Sequence, residues 1–315
     1  MAIEVRELTK VFETGRRRAH SRVEAVRGIT FAVEPGERLA YIGPNGAGKS
    51  TSIKILTGIL HPTSGHATVL GIVPWQARRR LAARIGTLFG QRSLLWTELT
   101  ARQSYRMLAA IYGLDRAQEE QRVAAMGELL DATDLFDQPV RTLSLGQRMR
   151  CELAACMLHE PEVLFLDEPT IGLDLLAKQR FRELLVRLNE DRGTTIFLTS
   201  HDVADIEHVA QRAIVVNHGS VIYDDAVTTM RRALLATKRI DVGLTEPVLA
   251  PSRAGVTIVE HTDSALRLVV DTTTTSVRSV LDDILIGPGV ADISVVDPPL
   301  EEVIAEIYER PRHGR

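Results

Sequence analysis

Two short stretches of the sequence carry the residue types that bind and cleave phosphate anhydrides. The first, Gly43 to Thr51, reads GPNGAGKST and lies between an apolar segment, Leu39 to Ile42, and a helical pattern from Ser52 to Leu60. Its glycines allow backbone N–H groups to turn toward phosphate oxygens, and a helix that begins there adds the positive end of its dipole. The spacing therefore predicts a phosphate-binding loop between a strand and a helix.

Two side chains of this loop have specific roles in phosphate chemistry. Lys49 supplies a positive charge for the β- and γ-phosphates, and the Ser50 hydroxyl is a ligand for Mg²⁺. The loop therefore predicts a site for the β- and γ-phosphates of a ligand, with Mg²⁺ as its metal ion. The remaining loop residues expected at the nucleotide are Gly43, Asn45, Gly46, Ala47, Gly48 and Thr51.

The second stretch, Val163 to Glu168, is an apolar run that ends in two carboxylates. Parallel sheets hold their ligands at the carboxyl ends of strands, which is where this pair lies. We assign Asp167 to Mg²⁺ and Glu168 to the general base that activates the attacking water. The alternative is an acidic pair that only caps a turn before Pro169, and the phosphate loop disfavours it.

The elements that must position these groups alternate along the chain. Helical patterns separate short apolar strands, which predicts a layered α/β domain with a mostly parallel sheet over residues 1–224. Residues from about 91 to 160 are helical in pattern and predict an all-helical insert. The predicted strands are 38–42, 163–166, 195–199 and 213–216, and the clearest helices are 102–112, 118–130 and 148–159.

The pattern changes after Tyr223, where alternating segments and two short helical ones predict a small α+β accessory domain over residues 225–315. The alternating segments are 239–244, 256–261, 266–271 and 293–296, and the helical ones are 277–286 and 300–308.

Composition limits the class of protein. The chain has 315 residues, 44% of them hydrophobic, and a net charge of −3, which disfavours a disordered or nucleic-acid-binding chain. No run approaches about 18 apolar residues and the N-terminus lacks an apolar signal core, so we predict neither a membrane span nor a secretion signal. Cys151 and Cys156 are too far apart on a helix for a disulfide, so we interpret them as core residues in a reducing cytoplasm. The arginine runs 16–18 and 78–80 are either solvated faces or contacts for anionic lipid headgroups.

A further motif connects the two phosphate-site stretches. Leu143 to Gln147, LSLGQ, precedes the acidic strand, and together the three motifs resemble those of the ATP-binding cassette (ABC) ATPases. The other family elements follow in order: Phe12 resembles the aromatic that stacks on adenine, Gln91 the Q-loop, residues 171–174 the D-loop, and His201 the switch histidine. The resemblance covers about residues 3 to 224.

This resemblance implies a P-loop ABC cassette that hydrolyses ATP as a head-to-tail homodimer. Ser144, Gly146 and Gln147 of one copy would face the ATP that the other copy holds, with Asp174 at the same interface. Gln91 would contact the metal and the γ-phosphate, and His201 would orient the attacking water. Leu145 stands where the family usually has glycine, but because Gly146 is kept we expect ATP binding to survive.

Finer similarities point to one branch of the family. Residues 57–65, 89–96, 143–150 and the C-terminal segment 293–308 resemble the exporter branch, including daunorubicin-type and viologen-type efflux ATPases. The resemblance implies export of a drug-like or lipophilic small molecule through separate integral-membrane permease subunits, at the cytoplasmic face of the membrane. The alternatives are an importer ATPase and a soluble non-transport ABC ATPase. The second is disfavoured because the chain has one phosphate loop and no long coiled coil.

Leu94, Leu95 and Trp96 follow Gln91 and are a candidate docking patch for a cytoplasmic helix of the permease. The alternative is that they pack inside the helical insert.

Overall fold

A computed structural model describes residues 1–14, 21–89, 93–235, 237–246, 248–285 and 289–296. The chain divides into two compact units, Met1–Asp224 and Asp225–Arg315, and each has a hydrophobic core of its own. Gln91, the arginine run 16–18, the predicted helix 300–308 and the end of the segment 293–308 lie outside the described residues.

Strands and helices alternate through most of the first unit. Its strands are β1 (Ile3–Thr14), β2 (Ser21–Val33), β3 (Arg38–Ile42), β4 (Ser64–Val69), β5 (Ile85–Phe89), β6 (Val163–Asp167), β7 (Thr195–Thr199), β8 (Arg212–Asn217) and β9 (Ser220–Ala226). Its helices are α1 (Lys49–Leu56), α2 (Arg78–Ala82), α3 (Ala101–Tyr112), α4 (Arg116–Leu129), α5 (Leu145–Met157), α6 (Leu175–Arg192) and α7 (Val203–Val209).

A six-stranded sheet in the order β5-β6-β7-β3-β8-β9 forms the centre of this unit. Its pairs β5/β6, β6/β7, β3/β7 and β3/β8 are parallel, as the apolar strands predicted. Because β6, β7 and β3 are neighbours, the phosphate loop after β3 and the acidic pair at the end of β6 lie at the same edge of the sheet. The predicted α/β domain with a mostly parallel sheet is thereby confirmed.

A second sheet, in the order β2-β1-β4, is antiparallel and was not distinguished in the sequence. The long β1–β2 hairpin shares a hydrophobic core with α1 and with the central sheet, through residues such as Ile3, Val33, Ile53 and Phe197. The first helix also differs from its prediction of 52–60. It begins at Lys49 and ends at Leu56, just before the left-handed Gly58.

Helices α3, α4 and α5 form the helical region between β5 and β6, as predicted. Their core includes Tyr105 and Phe136, whose rings meet edge to face with centroids 5.0 Å apart. Leu95 is 3% exposed and belongs to this core, and Leu94 packs partly against it. The docking interpretation is therefore wrong for Leu95, because its side chain fills the helical core. Trp96 remains 40% exposed.

The second unit contains a four-stranded antiparallel sheet in the order β11-β12-β10-β13. One face of the sheet packs against α9 through residues such as Ile240, Leu268 and Val280. The elements are α8 (Val227–Leu235), β10 (Thr237–Leu244), β11 (Val256–His261), β12 (Ala265–Asp271), α9 (Val277–Ile284) and β13 (Val290–Val296). No helix in the described ranges is long and apolar enough to cross a membrane.

Candidate functional site

The loop after β3 is shaped by close backbone contacts with two other strands. A Cβ added at Gly43 would lie 2.3 Å from the Val216 carbonyl oxygen of β8, and one at Gly48 would lie 2.2 Å from the Ala25 carbonyl oxygen of β2. Gly48 also has a left-handed φ of 102° immediately before α1. An L side chain fits neither position, so both glycines are required by the path of the loop into α1. The free N–H groups of the first turn of α1 then face an incoming anion.

Lys49 is the first residue of α1, and its ammonium group folds back over the loop. Nζ donates to the Gly43 carbonyl oxygen at 2.6 Å and lies 3.6 Å from Oε1 of Glu168, while the residue is 6% exposed. Asn45 and Gly46 are exposed at the crest of the same loop. A largely buried ammonium group beside an exposed backbone crest fits a chain of phosphates.

Asp167, at the end of β6, accepts hydrogen bonds from two hydroxyl groups. Thr199 Oγ1 donates to its Oδ1 at 2.6 Å, and Ser50 Oγ donates to the same oxygen at 3.3 Å. Thr199 lies beside Asp167 in the β6–β7 register. Carboxylate and hydroxyl oxygens are hard ligands of the kind that Mg²⁺ prefers, so these residues fit that ion. In the ranges that the structure describes, no group of three or more His, Cys, Asp and Glu forms a metal site of another kind.

Glu168 is held in a strained conformation between Lys49 and His201. Its φ is 56°, a left-handed value that costs a residue other than glycine about 1–2 kcal/mol. Its N–H donates to the Thr199 carbonyl oxygen and to Thr199 Oγ1, both at 3.1 Å, which stabilises this turn. Nδ1 of His201 is hydrogen-bonded to Oε2 of Glu168. The backbone and both neighbours thus fix the direction of the carboxylate.

A buried carboxylate holds the segment that carries His201. Asp205 is 1% exposed and accepts hydrogen bonds from Ser200 Oγ at 2.6 Å, from Thr170 Oγ1 at 2.5 Å and from Arg182 Nε at 2.6 Å. These donors come from the residue before the histidine, from the turn after the acidic pair, and from α6. Asp205 therefore joins the three segments that surround the general base.

Asp202 extends this network. Lys178 Nζ donates to it at 2.6 Å, and Arg182 lies 3.1 Å from its other oxygen. Burial alone would raise the pKa of Asp202, but the hydrogen bond from Lys178 and the charge of Arg182 outweigh that effect and lower it. Sequence reasoning missed both aspartates. The available signal was two acidic residues at the start of a helix, a pattern that is typical of caps.

The LSLGQ motif forms the N-terminus of α5. Ser144 Oγ accepts a hydrogen bond from the Gln147 N–H at 3.3 Å, and Gln147 Oε1 accepts one from the Ser144 N–H at 2.9 Å, so the two residues form a capping box. A Cβ added at Gly146 would lie 2.9 Å from Cβ of Ala177, so glycine is needed where α5 approaches α6. Leu145 is 45% exposed.

Asp174 is the N-cap of α6 and accepts a hydrogen bond from the Ala177 N–H at 2.8 Å.

Five of the predicted residues are connected by these contacts into one site: Lys49, Ser50, Asp167, Glu168 and His201. Ser144, Gln147 and Asp174 cap helices instead.

Phe12 is half-buried on β1, and the Lys10 ammonium group lies 5.1 Å from the centroid of its ring. The same ammonium group donates to the His61 carbonyl oxygen at 2.8 Å. A cation at this distance is attracted to the ring face. Adenine stacking on Phe12 stays a prediction.

Comparison with known proteins adds independent information. The family model described as ABC transporter matches residues 26–171. The chain is 34% identical over 294 residues to the daunorubicin resistance ATP-binding protein DrrA2 of Streptomyces coeruleorubidus, with 90% of both chains covered. It is 28% identical over 302 residues to the linearmycin resistance ATP-binding protein LnrL of Bacillus subtilis, with 93% of this chain and 96% of the relative covered. A post-hydrolysis, dimeric structure of the ATP-binding cassette MJ0796 with ADP and phosphate shares the fold, with a TM-score of 0.63, 23% identity, and 71% and 98% of the two chains covered.

Proposed function

The chain belongs to the ABC transporter ATPases as an exporter-type ATP-binding subunit, and we propose that it dimerises on ATP to drive export of a lipophilic small molecule. The export would run through separate membrane permease subunits, to which this chain would bind at the cytoplasmic face. The main support for ATP hydrolysis is the set of contacts that connects Lys49, Ser50, Asp167, Glu168 and His201. It joins phosphate-binding and water-activating side chains in one site.

The proposed chemistry is in-line attack of water on the γ-phosphate. Lys49 would bind the β- and γ-phosphates, and Glu168 would take a proton from the water as its oxygen bonds to the γ-phosphorus. The bond from that phosphorus to the bridging oxygen breaks in the same step, so that ADP and phosphate are released. His201, bonded to the other carboxylate oxygen, would keep Glu168 aimed at that water. Ser50 and Asp167, with Gln91, would hold Mg²⁺, which neutralises charge on the phosphate oxygens when bound.

The shape of the α5 N-terminus supports the head-to-tail dimer. Ser144 is exposed at the end of a 13-residue helix, whose dipole and first N–H groups favour an anion. Apolar side chains are exposed around it and the neighbouring turn: Leu145, Ile171, Leu175 and Leu176 are 45%, 43%, 76% and 67% exposed. A second copy would cover this apolar surface and bring its own ATP to Ser144, Gly146, Gln147 and Asp174.

Export is supported by the relatives, whose names refer to resistance to daunorubicin and linearmycin. Trp96, exposed beside the helical core, is the residue of the predicted docking patch that fits contact with a permease helix. The second unit would support the dimer or regulate it as an accessory domain.

The dimer is tested with the Glu168→Gln variant, which should bind ATP without hydrolysing it. We expect the molar mass from light scattering to double when ATP and Mg²⁺ are added. With ADP, we expect the mass of a monomer. Glu183→Gln, an exposed change on α6, is the matched control and should hydrolyse ATP normally. A monomeric Glu168→Gln protein at saturating ATP contradicts the dimer.

Export is tested in inside-out vesicles that contain this chain and the membrane proteins that co-purify with it. ATP-driven uptake of a lipophilic fluorescent cation is expected with the wild-type subunit and is lost with Glu168→Gln. Uptake that appears only in right-side-out vesicles contradicts the direction.

A further inference from the structure

Glu152 is a buried carboxylate outside the phosphate site. It lies in the middle of α5, is 3% exposed, and is surrounded along the helix by apolar residues such as Cys151 and Leu153. Burying a carboxylate is costly unless hydrogen bonds compensate it, and an apolar residue of similar size would pack as well.

The partners of Glu152 lie in the segment that leaves β5. The Leu94 N–H donates to Oε2 at 2.8 Å, and the Ser93 hydroxyl donates to Oε1. Arg148, one turn earlier on α5, lies 3.5 Å from Oε1. Ser93 Oγ also accepts from the Leu95 N–H at 3.1 Å, which closes a tight turn. The carboxylate therefore fastens this turn to α5.

The same segment is attached to the phosphate site at its other end. Phe89, the last residue of β5, lies beside Asp167 in the parallel register of β5 and β6. Ser93 is four positions after Phe89 in the sequence, and four steps along the chain span at most about 14 Å. Glu152 is thus joined to the strand end that carries the metal-binding carboxylate by one short piece of chain.

Helix α5 connects Glu152 to the second half of the site. Ser144 lies eight residues before Glu152, about 12 Å along the same helix. Because a helix is a stiff element, a displacement of the Ser93 turn would be transmitted to the N-terminal cap of α5.

We propose that Glu152 is a positioning residue that links the phosphate site of one subunit to the Ser144 end of its α5, which serves the other subunit's ATP. The proposal rests on the proposed function, because only a dimer gives the Ser144 end a phosphate to bind. Through the bonds of Glu152 to Ser93 and Leu94, ATP in a subunit's own site positions the helix that completes its partner's site.

The experiment measures both turnover and a signal that needs no turnover. Trp96 lies three residues after Ser93, and Trp75 is the other tryptophan, so Trp75→Phe leaves one reporter beside the turn. In this background we compare Ser93→Ala, Ser93→Thr, Glu152→Gln and the double variant Ser93→Ala/Glu152→Gln. Glu119→Gln is the matched control, because Glu119 is a buried carboxylate of α4 paired with Arg106 at 3.6 Å.

We expect Ser93→Ala and Glu152→Gln each to lower kcat about tenfold with KM for ATP within about twofold. The double variant should be no slower than the slower single variant, because each of the two substitutions removes the same link. Ser93→Thr keeps the hydroxyl and should restore kcat. With Glu168→Gln added, ATP should change the Trp96 emission, and Ser93→Ala should reduce that change by at least about half. Glu119→Gln should leave kcat and the emission response unchanged.

Additive losses in the double variant, a Ser93→Thr protein as slow as Ser93→Ala, or a Trp96 response that Ser93→Ala leaves intact each overturn the link. If kcat falls only in variants whose melting temperature is also lower, the loss reflects stability, and this result overturns the link as well. If Glu152→Gln does not fold, the Ser93→Ala and Ser93→Thr pair decides. Failure of the parent protein to hydrolyse ATP contradicts the proposed function instead, and the emission response to ATP still tests the link.

Discussion

The Lys49 ammonium nitrogen lies 3.6 Å from Oε1 of Glu168, and both side chains are largely shielded from solvent. The Glu168 carboxylate therefore places a negative charge beside Lys49, where the γ-phosphate of ATP would also bind. It also repels that phosphate.

Replacing Glu168 with glutamine should separate binding from turnover. We expect Glu168→Gln to bind ATP several-fold more tightly, because a negative charge beside Lys49 is lost, and to hydrolyse it at least about 100-fold more slowly. Titration with a fluorescent ATP analogue and a phosphate-release assay measure the two effects, with Glu183→Gln as the control. Weaker binding would contradict the competition for Lys49, and near-normal hydrolysis would remove Glu168 as the base.

Lys49→Met should abolish most nucleotide affinity. The substitution keeps the length of the side chain but removes the charge that faces the phosphates, and the loss should be about 10- to 100-fold in Kd for ATP. Lys54→Met, an exposed position on the same helix, should bind as the wild type does. Isothermal calorimetry makes the comparison, and equal affinities for the two variants would refute the assignment.

Gly146→Ala tests the approach of α5 to α6. The new methyl group would lie 2.9 Å from Cβ of Ala177, so the unfolding free energy should fall by about 1–3 kcal/mol. Adding Ala177→Gly should relieve the overlap and recover part of that loss. If ATPase activity returns with stability, Gly146 serves packing alone. If activity stays low, the glycine also serves phosphate approach.

His159 should make stability depend on pH. Its ring stacks on Tyr112 with centroids 3.9 Å apart, Nε2 donates to the Ile85 carbonyl oxygen, and Nδ1 is buried with no partner in the described part of the chain. Burial lowers the pKa of His159, and the Arg122 charge adds to that effect. The unfolded chain then binds the proton more readily, so this stabilisation is complete above the unfolded pKa and is lost as the pH falls below it.

The measurement is urea unfolding at pH 7.5 and 5.5. His159→Phe keeps the stacking and removes the titration, so it should lose less stability on acidification than the wild type. His66→Phe, at an exposed position, should follow the wild type. Parallel acid losses in all three proteins would exclude His159 as the source.

Both cysteines should be unreactive in the folded protein. Burial raises the pKa of Cys151 to about 11 and that of Cys156 well above its usual range, and neither thiol is bonded in a disulfide. A chromogenic disulfide reagent at pH 8 should label no thiol within an hour and both thiols in guanidinium. Rapid labelling of the native protein would show that the α5 core opens.

Much of the fold could be predicted because its signals are local. The strand Val163–Asp167 is marked by an apolar run and extends one residue beyond its predicted end. The loop before α1 lies where its glycines predicted it, although the helix begins three residues earlier than expected. The β1–β4 pairing of the antiparallel sheet was missed because it joins segments that are distant in the sequence, such as Ile3 and Val69. Glu152 and Asp205 were missed because a single acid on a helix looks solvent-exposed until its buried donors are known. For Leu95 the sequence left two interpretations open, a docking surface or the helical core, because its apolar neighbours give no direction.

The loop that would hold the phosphates packs closely against the carbonyl groups of Val216 and Ala25. Neither carbonyl belongs to the loop, and moving either would disturb a sheet. Opening of the loop is therefore a poor route for the spent nucleotide to leave. In a dimer, the residence time of ADP would instead depend on how quickly the facing copy withdraws, so the two subunits would time each other's release.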